Sequence, residues 1–205
     1  MNGRGRVRAG YLQRPAMNFL GHLYLSGNEP EVIVGNFMGD GVKGRDLQRF
    51  TPGIREGIRL HRRIDSFTDR HPLALQGRER LRPHAGRWSG VVLDIFFDHV
   101  LAVEWADLHD EPLDAFVERM YGLLPLYQQH MPPRIRHMLP YMIAGDWLRS
   151  YATLEGIGRA LDGLSRRVTA GAPMRGAERV VERHYEAYKS EFLEFLPDLQ
   201  EALKA

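Results

Sequence analysis

The segment 88–105, WSGVVLDIFFDHVLAVEW, most limits what this chain can fold into. Apolar residues fall on nearly every side of a helix here, which predicts a helix buried at the centre of the protein. Yet the segment carries Asp94, Asp98 and His99. Asp94 and Asp98 share a face, and an ionised carboxylate without a partner is costly in an apolar interior. Arginine, lysine or a divalent metal could supply the partner charge, so this helix alone leaves a structural ion-pair network and a metal site equally open.

The rest of the chain shows the same helical periodicity. Apolar residues recur at three- and four-residue spacing beyond residue 17, and no segment alternates as a strand would. Thr51-Pro52 is a typical helix start, because threonine caps the first turn and proline tolerates it. The pattern predicts an all-α single domain, a bundle of about eight or nine helices. The predicted helices cover 18–26, 30–43, 53–68, 72–82, 88–107, 112–129, 133–148, 152–165 and 176–203.

Composition excludes several classes of protein. The 205 residues contain no cysteine, which removes disulfides, thiolate catalysis and cysteine-ligated metals. No apolar run approaches the roughly 20 residues that cross a bilayer, and the first residues lack the apolar segment of an export signal. We therefore expect a cytoplasmic protein without a membrane span.

The formal net charge of +2 is unevenly distributed. Residues 1–16 carry four arginines and no acid, while the remaining 24 basic and 26 acidic residues leave 17–205 slightly acidic. We expect 1–16 to be a flexible basic extension and 17–205 to be the helical domain. Nucleic acid is an unlikely partner, and any binding to it would depend on residues 1–16, because the domain itself offers no comparable cationic surface.

A second polar group interrupts the apolar face of the segment 54–69. Ile54, Ile58, His61 and Asp65 fall on one helical stripe, so His61 and Asp65 point inward together. A single histidine on such a stripe is more often a packed core residue than a ligand, but here Asp65 accompanies it. Asp69 follows one turn later and is a weaker candidate, because it could simply end the helix.

A third group closes the apolar run 32–40, VIVGNFMGD. Asp40 ends the run, and Gly35 and Gly39 would let other groups approach closely. A carboxylate near a helix C-terminus is disfavoured by the helix dipole, which favours a compensating cation. The alternative is an ordinary helix end with glycine packing. His22, in the apolar segment NFLGHLYL, fits a packed core position and a site position equally well.

Together the three segments place carboxylates and imidazoles on inward-facing helices. This mixture of ligands suits Mn²⁺, Mg²⁺ or Fe²⁺. The candidate metal ligands are Asp40, His61, Asp65, Asp94, Asp98 and His99.

Arginines accompany these candidates and indicate the substrate. Residues 55–87 hold nine arginines against four acids, and guanidinium groups bind phosphate in a planar fork. A divalent ion lowers the pKa of bound water and holds phosphoryl oxygens, so the parts indicate metal-assisted hydrolysis of a phosphate ester. The candidate phosphate-binding residues are Arg62, Arg63, Arg166 and Arg167.

The segments MNFLGHLYL, GNFMGD, HRRIDSFTD and LDIFFDHVLA, followed by SRR and HYE, resemble the acyl carrier protein phosphodiesterase family over roughly residues 17–200. The resemblance implies an all-helical fold related to the HD-type metal-dependent phosphohydrolases. It also implies removal of 4′-phosphopantetheine from the acidic holo-acyl carrier protein, with Mn²⁺ or a similar ion, and docking of that protein on the arginine-rich surface.

The same resemblance implies a catalytic set. Asp40 matches a metal-site aspartate of the family, His61 and Asp65 match the element HRRID, and Asp98-His99 matches the element in place of the HD dyad. In the usual HD dyad histidine precedes aspartate, whereas here Asp98 precedes His99. The resemblance therefore implies a rearranged HD-like site.

Two other readings of the residues stay open. An HD-like phosphohydrolase acting on a nucleotide or another small phosphodiester would share the metal and differ in substrate. A non-catalytic module binding acidic proteins through its arginines would bind no metal and turn nothing over. Metal analysis and a comparison of holo-carrier protein with small diesters separate the three.

Overall fold

The computed structural model describes residues 19–204, which form twelve α-helices and no strand. The predicted all-α single domain is therefore confirmed. Residues 1–16, predicted to be a basic extension, lie outside the described residues. The helices are α1 (Phe19–Tyr24), α2 (Pro30–Phe37), α3 (Pro52–Thr68), α4 (Pro72–Ala85), α5 (Ser89–Val103), α6 (Trp105–Leu108), α7 (Leu113–Leu123), α8 (Pro133–Ala144), α9 (Trp147–Ser150), α10 (Leu154–Arg167), α11 (Glu178–Arg183) and α12 (Tyr185–Lys204).

Local chemistry explains many of the helix starts. Helices α2, α3, α4 and α8 each begin with proline, whose fixed φ suits the first turn and whose missing N–H is not needed there. The side chain of Thr51 accepts a hydrogen bond from the backbone N–H of Ile54, as expected for the cap of α3.

Residues 19–204 form twelve α-helices where eight or nine were predicted, because three predicted helices are broken in two. The helix predicted over 133–148 is interrupted at Gly145 and Asp146, and Asp146 takes a left-handed conformation with φ 46°. The helix over 88–107 breaks at Glu104, and that over 176–203 breaks at His184. The segment 112–129 continues past Leu123 as a 3-10 helix, where Pro125 removes a backbone donor.

Helix α5 is the centre of the molecule, as its apolar pattern predicts. It packs against α1, α4, α10 and α12, and twelve of its fifteen residues are buried. Residues such as Ile95 and Phe96 are completely inaccessible. The buried polar side chains of α5, among them Asp98 and His99, must therefore find their partners inside the protein.

Across residues 19–204, none of the helices combines the length and the apolar character that crossing a bilayer requires.

Candidate metal centre

Two glycines bring α2 and α3 into backbone contact. A Cβ built on Gly35 would lie 2.2 Å from the carbonyl oxygen of Ile54, and one on Gly57 would lie 2.1 Å from that of Val32. Only residues without a side chain permit this approach. The crossing places the last turn of α2 beside the middle of α3, and therefore Asn36 beside His61.

Asn36 determines the orientation of His61. Nδ1 of His61 lies 2.9 Å from the backbone oxygen of Asn36. A carbonyl oxygen can only accept, so Nδ1 donates the hydrogen bond and carries the proton. In the neutral imidazole the lone pair is then on Nε2, which faces Asp40 and Asp65.

The same asparagine orients His22 through its side chain. Nδ2 of Asn36 donates to the backbone oxygen of His22 at 2.8 Å and to Oγ of Ser26 at 2.9 Å. These two bonds turn Oδ1 of Asn36 toward Nδ1 of His22, which donates to it at 2.8 Å. The imidazoles of His22 and His61 stack with ring centroids 4.0 Å apart.

The two imidazoles converge on the carboxylate of Asp65. Nε2 of His22 lies 3.2 Å from Oδ1 of Asp65, and Nε2 of His61 lies 3.3 Å from Oδ2. Oδ1 of Asp40 lies 3.2 Å from Nε2 of His61. Among residues 19–204, the group of potential ligand atoms within 4.8 Å of one another comes from His22, His61 and Asp65. Both histidines are buried, whereas the Asp65 side chain is 41% exposed, so the cluster faces solvent on its aspartate side.

The electrostatics of this cluster favour one bound cation. Burial and the neighbouring His61 lower the pKa of His22. Burial also lowers the pKa of His61, but hydrogen bonds to Asp40 and Asp65 outweigh it and raise the value to about 10. The metal-free cluster thus holds a proton on His61, and the neutral His22 keeps a buried Nε2 that makes no hydrogen bond to any of residues 19–204. Two nitrogen donors and a carboxylate that converge in this way fit a divalent metal.

The 3-10 turn Gly39–Gly41 brings Asp40 to the cluster. A Cβ built on Gly39 would lie only 2.3 Å from Cγ of His61, so the imidazole packs against the bare backbone of this turn. The predicted role of Gly35 and Gly39 in allowing close approach is thereby confirmed. The Asp40 side chain is 26% exposed and lies at the rim of the cluster.

The structure places Asp98 at the start of α1 and outside the group of converging ligand atoms. Its Oδ2 accepts a hydrogen bond from the N–H of Leu20 at 3.0 Å, and its Oδ1 from that of Gly21 at 2.8 Å. Burial and the neighbouring Asp94 raise the pKa of Asp98 well above its usual range, against the effect of these two donors. Asp98 thus holds the free amides of the helix that carries His22.

His99 points to another side of α5 than Asp98, and Asp94 lies one turn before Asp98. Nδ1 of His99 donates to the backbone oxygen of Tyr151 at 2.7 Å, and burial lowers the pKa of this histidine. Oδ1 of Asp94 lies 3.8 Å from the guanidinium of Arg78, which also pairs with Asp69 at 2.9 Å. Asp94, His99 and Asp69 therefore do not belong to the cluster around Asp65.

The four predicted phosphate-binding arginines have other contacts. Arg62 donates to the backbone oxygens of Val42 and Gly44, and so supports the loop after Asp40. The others lie on separate surfaces: Arg63 donates to the carbonyls of Ala202 and Leu203, Arg166 pairs with Asp162, and Arg167 lies over the Trp147 ring. Arg167 also lines a cavity of about 350 Å³ between α9 and α10.

The sequence left undecided whether His22 is a core residue or a site residue, and it indicated no role for Asn36 or Ser26. One signal was available, since His22 and Ser26 are four positions apart in an otherwise apolar segment and therefore share a face. The structure shows that this face meets the Asn36 side chain.

Comparison with known proteins agrees with this picture. The sequence profile described as "Acyl carrier protein phosphodiesterase" matches residues 17–199. Proteins of that name from Enterobacter sp. (strain 638) and Salmonella paratyphi A are each 33% identical to the chain. They align over 88% and 92% of this chain and over 94% and 100% of their own lengths. A third, from Photorhabdus laumondii, is 31% identical over 90% of the chain and 94% of its own length.

No solved structure matches the chain, and the HD-like arrangement implied by the resemblance stays a prediction. The profile spans almost the whole of the described domain, and the relatives align along nearly their full lengths. The chain therefore belongs to the acyl carrier protein phosphodiesterase family.

Proposed function

We propose that this protein is a metal-dependent phosphodiesterase of the cytoplasm that hydrolyses holo-acyl carrier protein to apo-acyl carrier protein and 4′-phosphopantetheine. The observation that carries the proposal is the convergence of His22, His61 and Asp65 in a chain of this family. A purely structural histidine pair would not need the Nε2 atoms of two buried imidazoles directed at one carboxylate.

His22, His61 and Asp65 would hold the metal, with Asp40 next to them. The fit rests on the buried Nε2 of His22, which makes no hydrogen bond within the described part of the chain. Mn²⁺ suits a mixed nitrogen and oxygen donor set, and Mg²⁺ or Fe²⁺ would be alternatives. When bound, such an ion lowers the pKa of water and neutralises charge on phosphoryl oxygens.

Three other residues would orient the metal ligands and transfer the proton. Asn36 would keep both imidazoles in the tautomer that has Nε2 free for ligation. Asp40, at the rim, would accept a proton from the attacking water and return it to the serine oxygen when the phosphorus–oxygen bond breaks. Asp98 would act through α1, by holding the backbone that carries His22.

Asp94, His99 and the arginines have supporting roles in this proposal. Asp94 would balance the charge of Arg78, and His99 would tie α5 to Tyr151. Arg62 would support the loop after Asp40, because it donates hydrogen bonds to the backbone oxygens of Val42 and Gly44. Direct contact of Arg62, Arg63, Arg166 or Arg167 with phosphate stays a prediction.

The test is conversion of holo-carrier protein in the presence of Mn²⁺, followed by intact-protein mass spectrometry. We expect loss of the phosphopantetheine mass, abolished by EDTA and restored by added Mn²⁺. Asp65→Ala should lose at least about a hundredfold in rate, as expected for removal of a group that acts directly at the site. Glu56→Ala, which removes an exposed carboxylate from the same helix, should keep the wild-type rate.

Four outcomes would contradict the proposal. Full activity in the presence of EDTA would exclude a catalytic metal. A wild-type rate in Asp65→Ala would exclude the cluster as the active site. Absence of both metal and turnover in the purified protein would favour a binding module for acidic proteins. Turnover of small diesters but not of holo-carrier protein would favour the alternative phosphohydrolase.

A further inference from the structure

Residues 119–145 form a segment without any aspartate or glutamate. The segment comprises the end of α7, the 3-10 helix Leu124–His130 and helix α8. Its charged side chains are all basic, in a domain that is otherwise slightly acidic. Such a local excess of one sign creates a field that can steer a partner of opposite charge.

Two arginines of this segment are available to a partner. Arg134 and Arg136 are exposed, and within residues 19–204 no carboxylate pairs with either of them. The arginines of 55–87, which the sequence suggested as the docking surface, are largely engaged within the protein. Arg59 pairs with Glu56, Arg80 with Glu191, Arg82 with Glu79, and Arg63 with the carbonyls at the end of α12.

Apolar side chains accompany these charges at the surface. Leu126 is 69% exposed and Tyr141 is 61% exposed, the largest values among the large hydrophobic residues described. Arg134, His137 and Tyr141 recur at helical spacing on one exposed face of α8, and the rings of His137 and Tyr141 lie 5.4 Å apart. Helix α8 also packs against the 3-10 helix that carries Leu126. A cationic surface with exposed leucine and tyrosine is typical of protein recognition.

This face begins beside the candidate metal centre. A Cβ built on Gly41 would lie 2.8 Å from Cγ1 of Ile135 and 3.0 Å from Cγ of Pro132. The start of α8 therefore packs directly against the turn that holds Asp40. Arg134 and Arg136 flank Ile135 in sequence, so a protein bound on α8 would reach the rim of the cluster.

We propose that Leu126, Arg134, Arg136, His137 and Tyr141, here called the α8 surface, dock the acidic protein substrate and present its phosphodiester to the His22–His61–Asp65 cluster. The inference rests on the proposed function and adds the surface that recognises the protein part of the substrate. Two unpaired arginines beside exposed apolar groups fit a folded acidic protein better than a nucleic acid, which needs many phosphate contacts along its backbone.

The experiment compares two double charge reversals in the full chain. R134E/R136E changes the α8 surface, and R179E/R183E makes the same change in net charge at two exposed arginines of α11. Steady-state kinetics are measured with holo-carrier protein and Mn²⁺. We expect R134E/R136E to raise KM about tenfold or more with kcat within twofold, because charges at an interface act mainly on association. R179E/R183E should change KM by less than twofold.

Further measurements make the outcome decisive. Circular dichroism and Mn²⁺ affinity should match the wild type in both variants, and the milder R134Q/R136Q should raise KM by an intermediate factor. Equal KM values in the two charge reversals would overturn the proposal that the α8 surface docks the substrate, while leaving the proposed function intact. Binding of anionic vesicles or single-stranded RNA, lost in R134E/R136E while KM for holo-carrier protein stays unchanged, would also overturn it. A wild-type protein that releases no phosphopantetheine would overturn the proposed function itself.

Discussion

Replacement of Asn36 by alanine tests whether one buried amide organises the metal centre. The change removes three hydrogen bonds: Nδ1 of His22 to Oδ1, and Nδ2 to the backbone oxygen of His22 and to Oγ of Ser26. Each buried bond contributes about 1 kcal/mol net, so the free energy of unfolding should fall by about 3 kcal/mol. The free energy of unfolding of a native protein is about 5–15 kcal/mol, so the variant should still fold.

The more specific effect of Asn36→Ala should be on metal binding. Without Oδ1 of Asn36, nothing holds the proton of His22 on Nδ1, and the ring loses the orientation that directs Nε2 at the cluster. Loss of such a supporting acceptor costs about 10- to 100-fold in metal affinity. Isothermal titration with Mn²⁺ measures this effect, and urea unfolding measures the stability.

Ser26→Ala is the matched control for this experiment. It removes two bonds of the same network, from Ser26 to the backbone oxygen of His22 and from Asn36 to Ser26, but leaves the bond to Nδ1 of His22 in place. Its stability should fall by about 2 kcal/mol, with Mn²⁺ affinity close to that of the wild type. Equal Mn²⁺ affinity in the Asn36 and Ser26 variants would refute the orienting role of Asn36.

Three further predictions concern the same centre. Gly39→Ala should weaken Mn²⁺ binding by about tenfold or more, because the new methyl group would meet the His61 ring, whereas Gly122→Ala, which meets nothing within 4 Å, should leave binding unchanged in the same titration. Asp98→Asn should lower the free energy of unfolding by about 1–3 kcal/mol in urea, because one N–H of α1 loses its acceptor, and should retain Mn²⁺ binding; complete loss of Mn²⁺ with an unchanged fold would instead make Asp98 a ligand. In the metal-free protein, the raised pKa of His61 stabilises the fold fully below about pH 6.5, and this contribution should be lost as the pH rises through about 10. Urea unfolding in EDTA at several pH values should show that decline, and a decline just as steep in Asp65→Asn would contradict its assignment to the His61–Asp65 pair.

Much of the fold could be predicted because helices leave local marks in the sequence. Proline at the first position and Thr51 as a cap define several helix starts, and the all-round apolar pattern of α5 identifies the central helix. The breaks at Glu104 and His184 could not be predicted, because the periodic pattern continues across both residues.

The candidate site was predictable only where its residues share a helix. His61 and Asp65 lie one turn apart, so their spacing already indicates a common direction. Asp98 and His99 are adjacent and therefore point about 100° apart around α5, one toward the amides of α1 and the other toward Tyr151. The partners of Asp98 are backbone groups 77 and 78 positions away, and backbone N–H groups carry no signature in a sequence.

The crossing of α2 and α3 through Gly35 and Gly57 has a consequence for protein engineering. Because main chain meets main chain there, the spacing between the two helices cannot be readjusted by repacking side chains. A designer who wishes to retune the centre for another ion could vary the residues around its open, aspartate side. Any side chain introduced at either glycine would instead wedge the helices apart and misalign both imidazoles at once.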